Sequence, residues 1–177
     1  MCREKIGFTC YSALMKQILL DQFTACYDRN TWFVALKNAL DQVTAKDAVW
    51  KPEGVDNSIW EIVSHLNYYN FAYVERFKGV EYQYPADDND ATFVDAEDAN
   101  REAWAAEVTR LDSIMTEFRE LIATVEESKF DQPVSATNPA TWATLISNIN
   151  VHNAHHGGQI VLLRKMQGSW DRAKGVS

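Results

Sequence analysis

The sequence predicts an all-α fold, a four-helix bundle in a single domain over residues 1–177. Three observations carry this expectation. Apolar residues recur in steps of three and four along several long stretches, which is the signature of helices that each bury one face. No stretch alternates apolar and polar residues for long enough to build a sheet. Pro52, Pro85 and Pro133 fall in polar connections, and Pro139 falls at a helix start, so no predicted helix interior is broken. Four long amphipathic helices in one chain pack as a bundle.

Residues 1–12 are expected as a loose N-terminal arm. Arg3 and Lys5 precede a modestly apolar run from Ile6 to Met15, but Thr9 and Ser12 dilute it, Lys16 ends it, and no small-residue cleavage motif follows. It does not read as a secretory signal. The first helix is expected from the stripe Phe33, Leu36, Leu40 and Val43, continued upstream through Leu19, Phe23 and Cys26. The second opens at Asn57 and Ser58, where Ser58-Ile59-Trp60-Glu61 reads as a capping box. Its stripe is Ile62, Leu66, Tyr69, Tyr73 and Phe77, and Gly79 closes it. The third runs from Trp104 through Val108, Leu111, Met115, Phe118 and Ile122 to Val125. The fourth is announced by Asn138-Pro139, carries Trp142, Leu145, Ile149, Leu163 and Met166, and stops at Gly168. Polar connections are expected at residues 44–56, 80–95 and 126–137.

Composition narrows the function. Hydrophobic residues make up 46% and charged residues 24% of 177, which excludes wholesale disorder. A chain of this length buries roughly 70% of its unfolded surface, so its core needs no disulfide or metal staple. With 17 Lys+Arg against 25 Asp+Glu the formal net charge is −8, which repels phosphate backbones and argues against nucleic acid as a partner. No apolar run reaches the roughly 18 residues of a membrane span. Cys2, Cys10 and Cys26 are odd in number and form no Cys-x-x-Cys pair, as expected for reduced thiols in a cytoplasmic protein.

The chemistry gathers at the four histidines. His65 lies in the second helix and His152, His155 and His156 in the fourth. Extended through its centre, the fourth stripe reads 142, 145, 149, 152, 156, 159, 163 and 166, with His152, His156 and Gln159 standing where aliphatics belong. Two imidazoles one turn apart therefore point into the bundle. His65, between Ile62 and Leu66, leans to a buried face as well. A lone histidine there is ordinarily a satisfied core residue. Three buried imidazoles without partners are costly, and a shared divalent metal accounts for all of them. His-x-x-x-His spacing also occurs in zinc metalloproteases, but the glutamate base expected after the first histidine is Asn153 here.

Both segments carry a family resemblance. Ser58-Ile59-Trp60-Glu61-Ile62-Val63-Ser64-His65-Leu66, with Tyr68 and Tyr69 behind it, and His152-Asn153-Ala154-His155-His156-Gly157-Gly158-Gln159-Ile160 resemble the DinB/YfiT family. This is the DNA-damage-inducible family and not the polymerase of the same name. The resemblance extends from about Leu14 to Trp170. It implies a four-helix bundle holding one divalent metal ion through His65, His152 and His156, with zinc or nickel expected first and iron or manganese next. It further implies a thiol-dependent S-transferase acting on a small-molecule substrate with a low-molecular-weight thiol, in a homodimer. A metal-dependent hydrolase, or a non-catalytic stress-response protein with a structural metal, would use the same ligands. Gly157 departs from the arginine that many relatives carry there.

Neighbouring residues get smaller roles. His155 is one residue off the seam and is expected at a pocket rim. Glu61 is expected to cap its helix rather than to orient His65. Asn148 and Gln159 could bond a metal-bound water or satisfy interior groups, and Tyr68, Tyr69 and Tyr73 could line a pocket or fill core. The run Asp87-Asp88-Asn89-Asp90 lacks the glycine and terminal glutamate of a calcium loop and is expected as a solvated turn.

Overall fold

The computed structural model describes residues 4–83, 85–86 and 88–175, with the side chains of residues 4–13 outside the description, as are Cys2 and the thiol of Cys10. Its α-helices are α1 (Glu4–Tyr27), α2 (Leu36–Leu40), α3 (Ala45–Ala48), α4 (Ile59–Phe77), α5 (Arg101–Thr124) and α6 (Trp142–Met166). The four long ones form the bundle: α4 packs on α5 and α6, and α1 closes the ring against the same two. Among the described residues there is no strand, only one isolated antiparallel bridge between Pro133 and Thr141. Phe118 sits at the centre, edge-on to Phe23 of α1 at 5.8 Å and to Phe77 of α4 at 5.7 Å. Residues 4–12, expected as an arm, carry helical backbone continuous with α1.

The predicted first helix is two elements. α1 ends at Tyr27, and α2 starts at Leu36 after a turn. Asn30 explains the break: its Oδ1 accepts from the Ala35 N–H at 2.9 Å and from Asn38 Nδ2 at 2.8 Å, giving the backbone an alternative to helical pairing. Phe33, expected on the buried stripe, is therefore partly exposed on that turn, and Trp32 beside it is almost fully exposed. The connection at residues 44–56 also contains a helical turn, α3, opened by a Thr44–Asp47 capping box.

α6 starts three residues later than Asn138-Pro139 suggests. Thr141 is the cap, its side chain accepting from the Thr144 N–H at 3.3 Å. Asn138 instead serves the preceding turn, where its Oδ1 accepts from the Ala140 N–H. Along α6 the buried set is wider than the predicted stripe. Ile146, Asn150, Asn153, Gly157, Ile160 and Arg164 join it, while Gln159 and Met166 are exposed. Buried Arg164 donates to the Ala39 carbonyl at 2.7 Å and to the Ser169 carbonyl at 3.0 Å, tying α2 and the C-terminal segment to α6.

The α4 start is as predicted. Ser58 Oγ accepts from the Glu61 N–H at 3.2 Å, and Glu61 Oε2 accepts from the Ser58 N–H at 2.7 Å. Ser58 and Glu61 are both buried, so water cannot replace either bond. Gly79 follows the last turn at φ 88°, a left-handed conformation that suits glycine. Ser58→Ala is expected to lower stability by about 1–2 kcal/mol, measured as a reduced urea midpoint with an unchanged slope.

Candidate metal centre

α4 and α6 run antiparallel: Phe77 at the end of α4 meets Trp142 at the start of α6, with ring centroids 4.9 Å apart. The same pairing carries His65, two turns into α4, to His152 and His156 in the middle of α6. His65 Nε2 lies 3.0 Å from His152 Nε2, and His156 Nε2 lies 3.1 Å from the same atom. All three ligand atoms fall within 4.8 Å of one another. His65 and His156 are buried and His152 is half-buried. Among the described residues no carboxylate or thiol joins this group.

The outer nitrogens decide what the inner ones can do. Thr92 donates its one hydroxyl proton to the Asn89 carbonyl at 2.6 Å. Its Oγ1 must therefore accept from His65 Nδ1, also 2.6 Å away, so the proton of His65 is on Nδ1. His156 Nδ1 likewise donates to Gln159 Oε1 at 2.6 Å. Both Nε2 atoms are thus bare lone pairs, and both face His152 Nε2. That atom carries at most one proton and can satisfy one of them. Three convergent nitrogens sharing at most one hydrogen form an electron-rich cluster that could hold a cation. Three nitrogens about 2.0–2.1 Å from a tetrahedral zinc stand roughly 3.3 Å apart, so this donor set fits such an ion with small adjustments.

Electrostatics agree with the geometry. Burial pushes the His65 imidazole down to about 3, with His156 and His152 adding to the effect. Burial likewise takes His156 down to about 4 and lowers His152. All three are neutral at pH 7, the form in which histidine ligates. The Phe93 ring stacks on His65 at 4.0 Å and 10°, and Tyr69 meets its edge at 4.9 Å. These rings fix the imidazole plane and keep water from one side.

Other sequence expectations distribute around this cluster. His155 is exposed and outside the group, its ring 5.1 Å from that of His156. Glu61 faces its cap and Lys51, 3.0 Å away, not His65. Asn148 is exposed, whereas Gln159 reaches back to hold His156. Tyr68 accepts from the Ala86 N–H, Tyr69 meets the rings of His65 and His152 edge-on, and Tyr73 stacks on Tyr69. Cys26 is buried and its thiol is pushed up to about 11 by desolvation, so it is an inert core group. A Cβ on Gly157 would meet the Leu36 Cα and the Val34 carbonyl at an unstrained 3.9 Å, and one on Gly158 would meet nothing. Helix α6 has room for alanine at both positions.

Of the acidic run, Asp87 lies outside the described residues, and Asp88, Asn89 and Asp90 are exposed as expected of a solvated turn, which also shapes the site. Asp88 Oδ1 accepts from the Ala91 N–H at 2.9 Å, opening a 3-10 turn over Asp90–Thr92 that delivers Thr92 and Phe93 to His65. Sequence reasoning missed both residues, because a loop has no periodicity to reveal which side chains turn inward. The one available signal was a β-branched hydroxyl and an aromatic closing an otherwise acidic turn.

Fold and site together define a helical bundle with a buried three-histidine centre between two antiparallel helices. The chain belongs to the DinB superfamily, whose sequence model matches residues 30–160, a span that includes all three histidines. No curated protein and no solved structure matches the chain. No helix among the described residues is long and apolar enough to cross a membrane.

In the metal-free protein, His65 and His156 are expected to remain neutral Nδ1–H tautomers from pH 7 down to about pH 5, well below the ordinary histidine range. Two-bond nitrogen–proton correlation spectra read this directly. Thr92→Val should shift His65 toward a mixture of tautomers and leave His156 unchanged.

Proposed function

We propose that the protein binds one divalent metal ion, zinc or nickel, through Nε2 of His65, His152 and His156, and that it is a metal-dependent S-transferase using a low-molecular-weight thiol. The observation that carries this reading is the convergence of three neutral Nε2 atoms with each buried partner's Nδ1 already engaged. Three protein ligands leave a coordination position for an exogenous group, the pattern of catalytic rather than structural sites. A divalent ion bound there supplies Lewis acidity and lowers the pKa of a coordinated thiol or water.

The chain's own residues have defined parts in this reading. His65 and His156 are oriented by Thr92 and Gln159, so their lone pairs point inward without rearrangement. Neutral ligands leave the ion's charge uncompensated, which favours an anionic partner such as a thiolate. Phe93 and Tyr69 shield one flank, and half-buried His152 marks the side open to solvent. Among the described residues no carboxylate joins the cluster to act as a base, and this favours a nucleophile that ionises on coordination, a thiol more readily than water.

Protein purified without a tag or added metal should contain about one divalent ion per chain, measured by elemental analysis. His65→Ala, His152→Ala and His156→Ala should each remove most of it, whereas His155→Ala should retain it. The cobalt form titrated with small thiols should then develop an intense near-ultraviolet charge-transfer band that is absent from His152→Ala. Stoichiometric metal in His156→Ala would refute the ligand set. No thiol-dependent band, with a large fall in melting temperature on metal removal, would replace the enzyme reading by a structural metal.

A further inference from the structure

We infer that the buried amide pair Asn70–Asn153 is a register key, positioning α4 against α6 so that the three histidine Nε2 atoms meet. The inference rests on the metal reading above and adds residues that ligate nothing.

Asn70 is on α4 and Asn153 on α6, and both are fully buried. Their carboxamides are paired reciprocally: Asn70 Nδ2 donates to Asn153 Oδ1 at 3.0 Å, and Asn153 Nδ2 donates to Asn70 Oδ1 at 3.1 Å. The second hydrogen of Asn70 goes to the Leu66 carbonyl at 2.9 Å, and Asn153 Nδ2 also approaches Met115 Sδ of α5 at 3.8 Å. Each amide oxygen accepts, and every amide hydrogen has a destination. Such a closed arrangement exists at one axial placement of the two helices. A slip of one turn, about 5.4 Å, would leave two buried amides unpaired, each at a substantial desolvation cost.

The aromatic contact of Phe77 on Trp142 along the same seam is apolar and tolerates sliding and repacking far better. On α4 Asn70 lies between His65 and Phe77, and on α6 Asn153 lies between His152 and His156. Asn153 directly follows His152, and Asn70 lies five residues, roughly 7.5 Å of helix, beyond His65. Fixing the pair therefore fixes the distance from His65 to His152 and His156. Single buried asparagines set helix register in this way in coiled coils, at some cost in stability. It also explains the residue after His152: the position that would hold a base in a metalloprotease points away from the histidines, into the helix seam.

The test is the double variant Asn70→Leu/Asn153→Leu, compared with the parent in three readouts: melting temperature of the metal-free protein, zinc affinity by competition with a chromophoric chelator, and the visible spectrum of the cobalt form. Apolar replacement of a buried polar pair is commonly neutral or stabilising, so the variant should melt at or above the parent temperature. Its zinc affinity should nevertheless fall about tenfold or more, with a cobalt spectrum altered toward fewer nitrogen ligands. Ile122→Val, a core truncation away from the seam, should lower the melting temperature and keep the affinity. Parent-like zinc affinity in the folded double variant would overturn the inference. Should that variant fail to fold, Asn70→Ser, which leaves a polar pocket for Asn153, is read in its place, with the same loss expected and the same refutation. A parent protein that takes up no zinc would refute the metal reading and this inference together. A metal-binding parent with an indifferent variant refutes the register role alone.

Discussion

Everything at this site depends on where the imidazole protons are. Two of the three histidines donate their Nδ1 hydrogens outward, His65 to Thr92 and His156 to Gln159, and so commit their Nε2 lone pairs to the interior. Lone pairs aimed at one another inside a bundle are unfavourable unless something positive lies between them. Burial makes the obvious remedy, protonation of the imidazoles themselves, expensive, which is why His65 and His156 are held so far below the ordinary histidine range. An ion held between the three Nε2 atoms would remove that cost.

That constraint reaches outward through the fold. His65 can be committed because a loop between α4 and α5 folds back and presents Thr92, whose own proton is taken by Asn89. The loop holds this shape through Asp88 at its start and through Tyr69 of α4, whose hydroxyl donates to Asn89 Oδ1 at 3.3 Å. α4 is in turn anchored by a buried capping box and by the Asn70–Asn153 pair. Asn67 and Asn150, one helical turn from the pair on each helix, are also buried, and they bond outward to Glu107 of α5 and to the Leu19 carbonyl of α1. Buried amides stabilise little in net terms. They specify one arrangement among several that an apolar seam would allow.

Much of this was legible in the residues. The stripes on α4 and α5, the Ser58–Glu61 cap and the stops at Gly79 and Gly168 follow from periodicity and end chemistry, which act locally. The histidine cluster was legible because imidazoles interrupt a seam of aliphatics at unbroken spacing. The break between α1 and α2 was not, since it depends on one asparagine side chain outbidding the helical hydrogen bonds of Ala35 and its neighbours. The α6 start misled for a related reason: Asn138-Pro139 has the composition of a helix entry, yet Asn138 turns its oxygen to Ala140 and leaves the cap to Thr141. Thr92 and Phe93 were invisible because their position is set by tertiary packing of a loop, for which no spacing rule exists. Asn153 looked like the loss of a catalytic base until its partner on another helix was known.

The central claim is that Nε2 of His65, His152 and His156 hold one ion with a position left for an exogenous ligand. The most direct measurement is diffraction from zinc-soaked crystals collected on both sides of the zinc absorption edge. The account predicts a single anomalous peak roughly 2.0–2.1 Å from each of the three Nε2 atoms, with the remaining ligand supplied by solvent or additive. A peak elsewhere, ligation through Nδ1 of His65 or His156, or a fourth protein side chain closing the coordination sphere would contradict it.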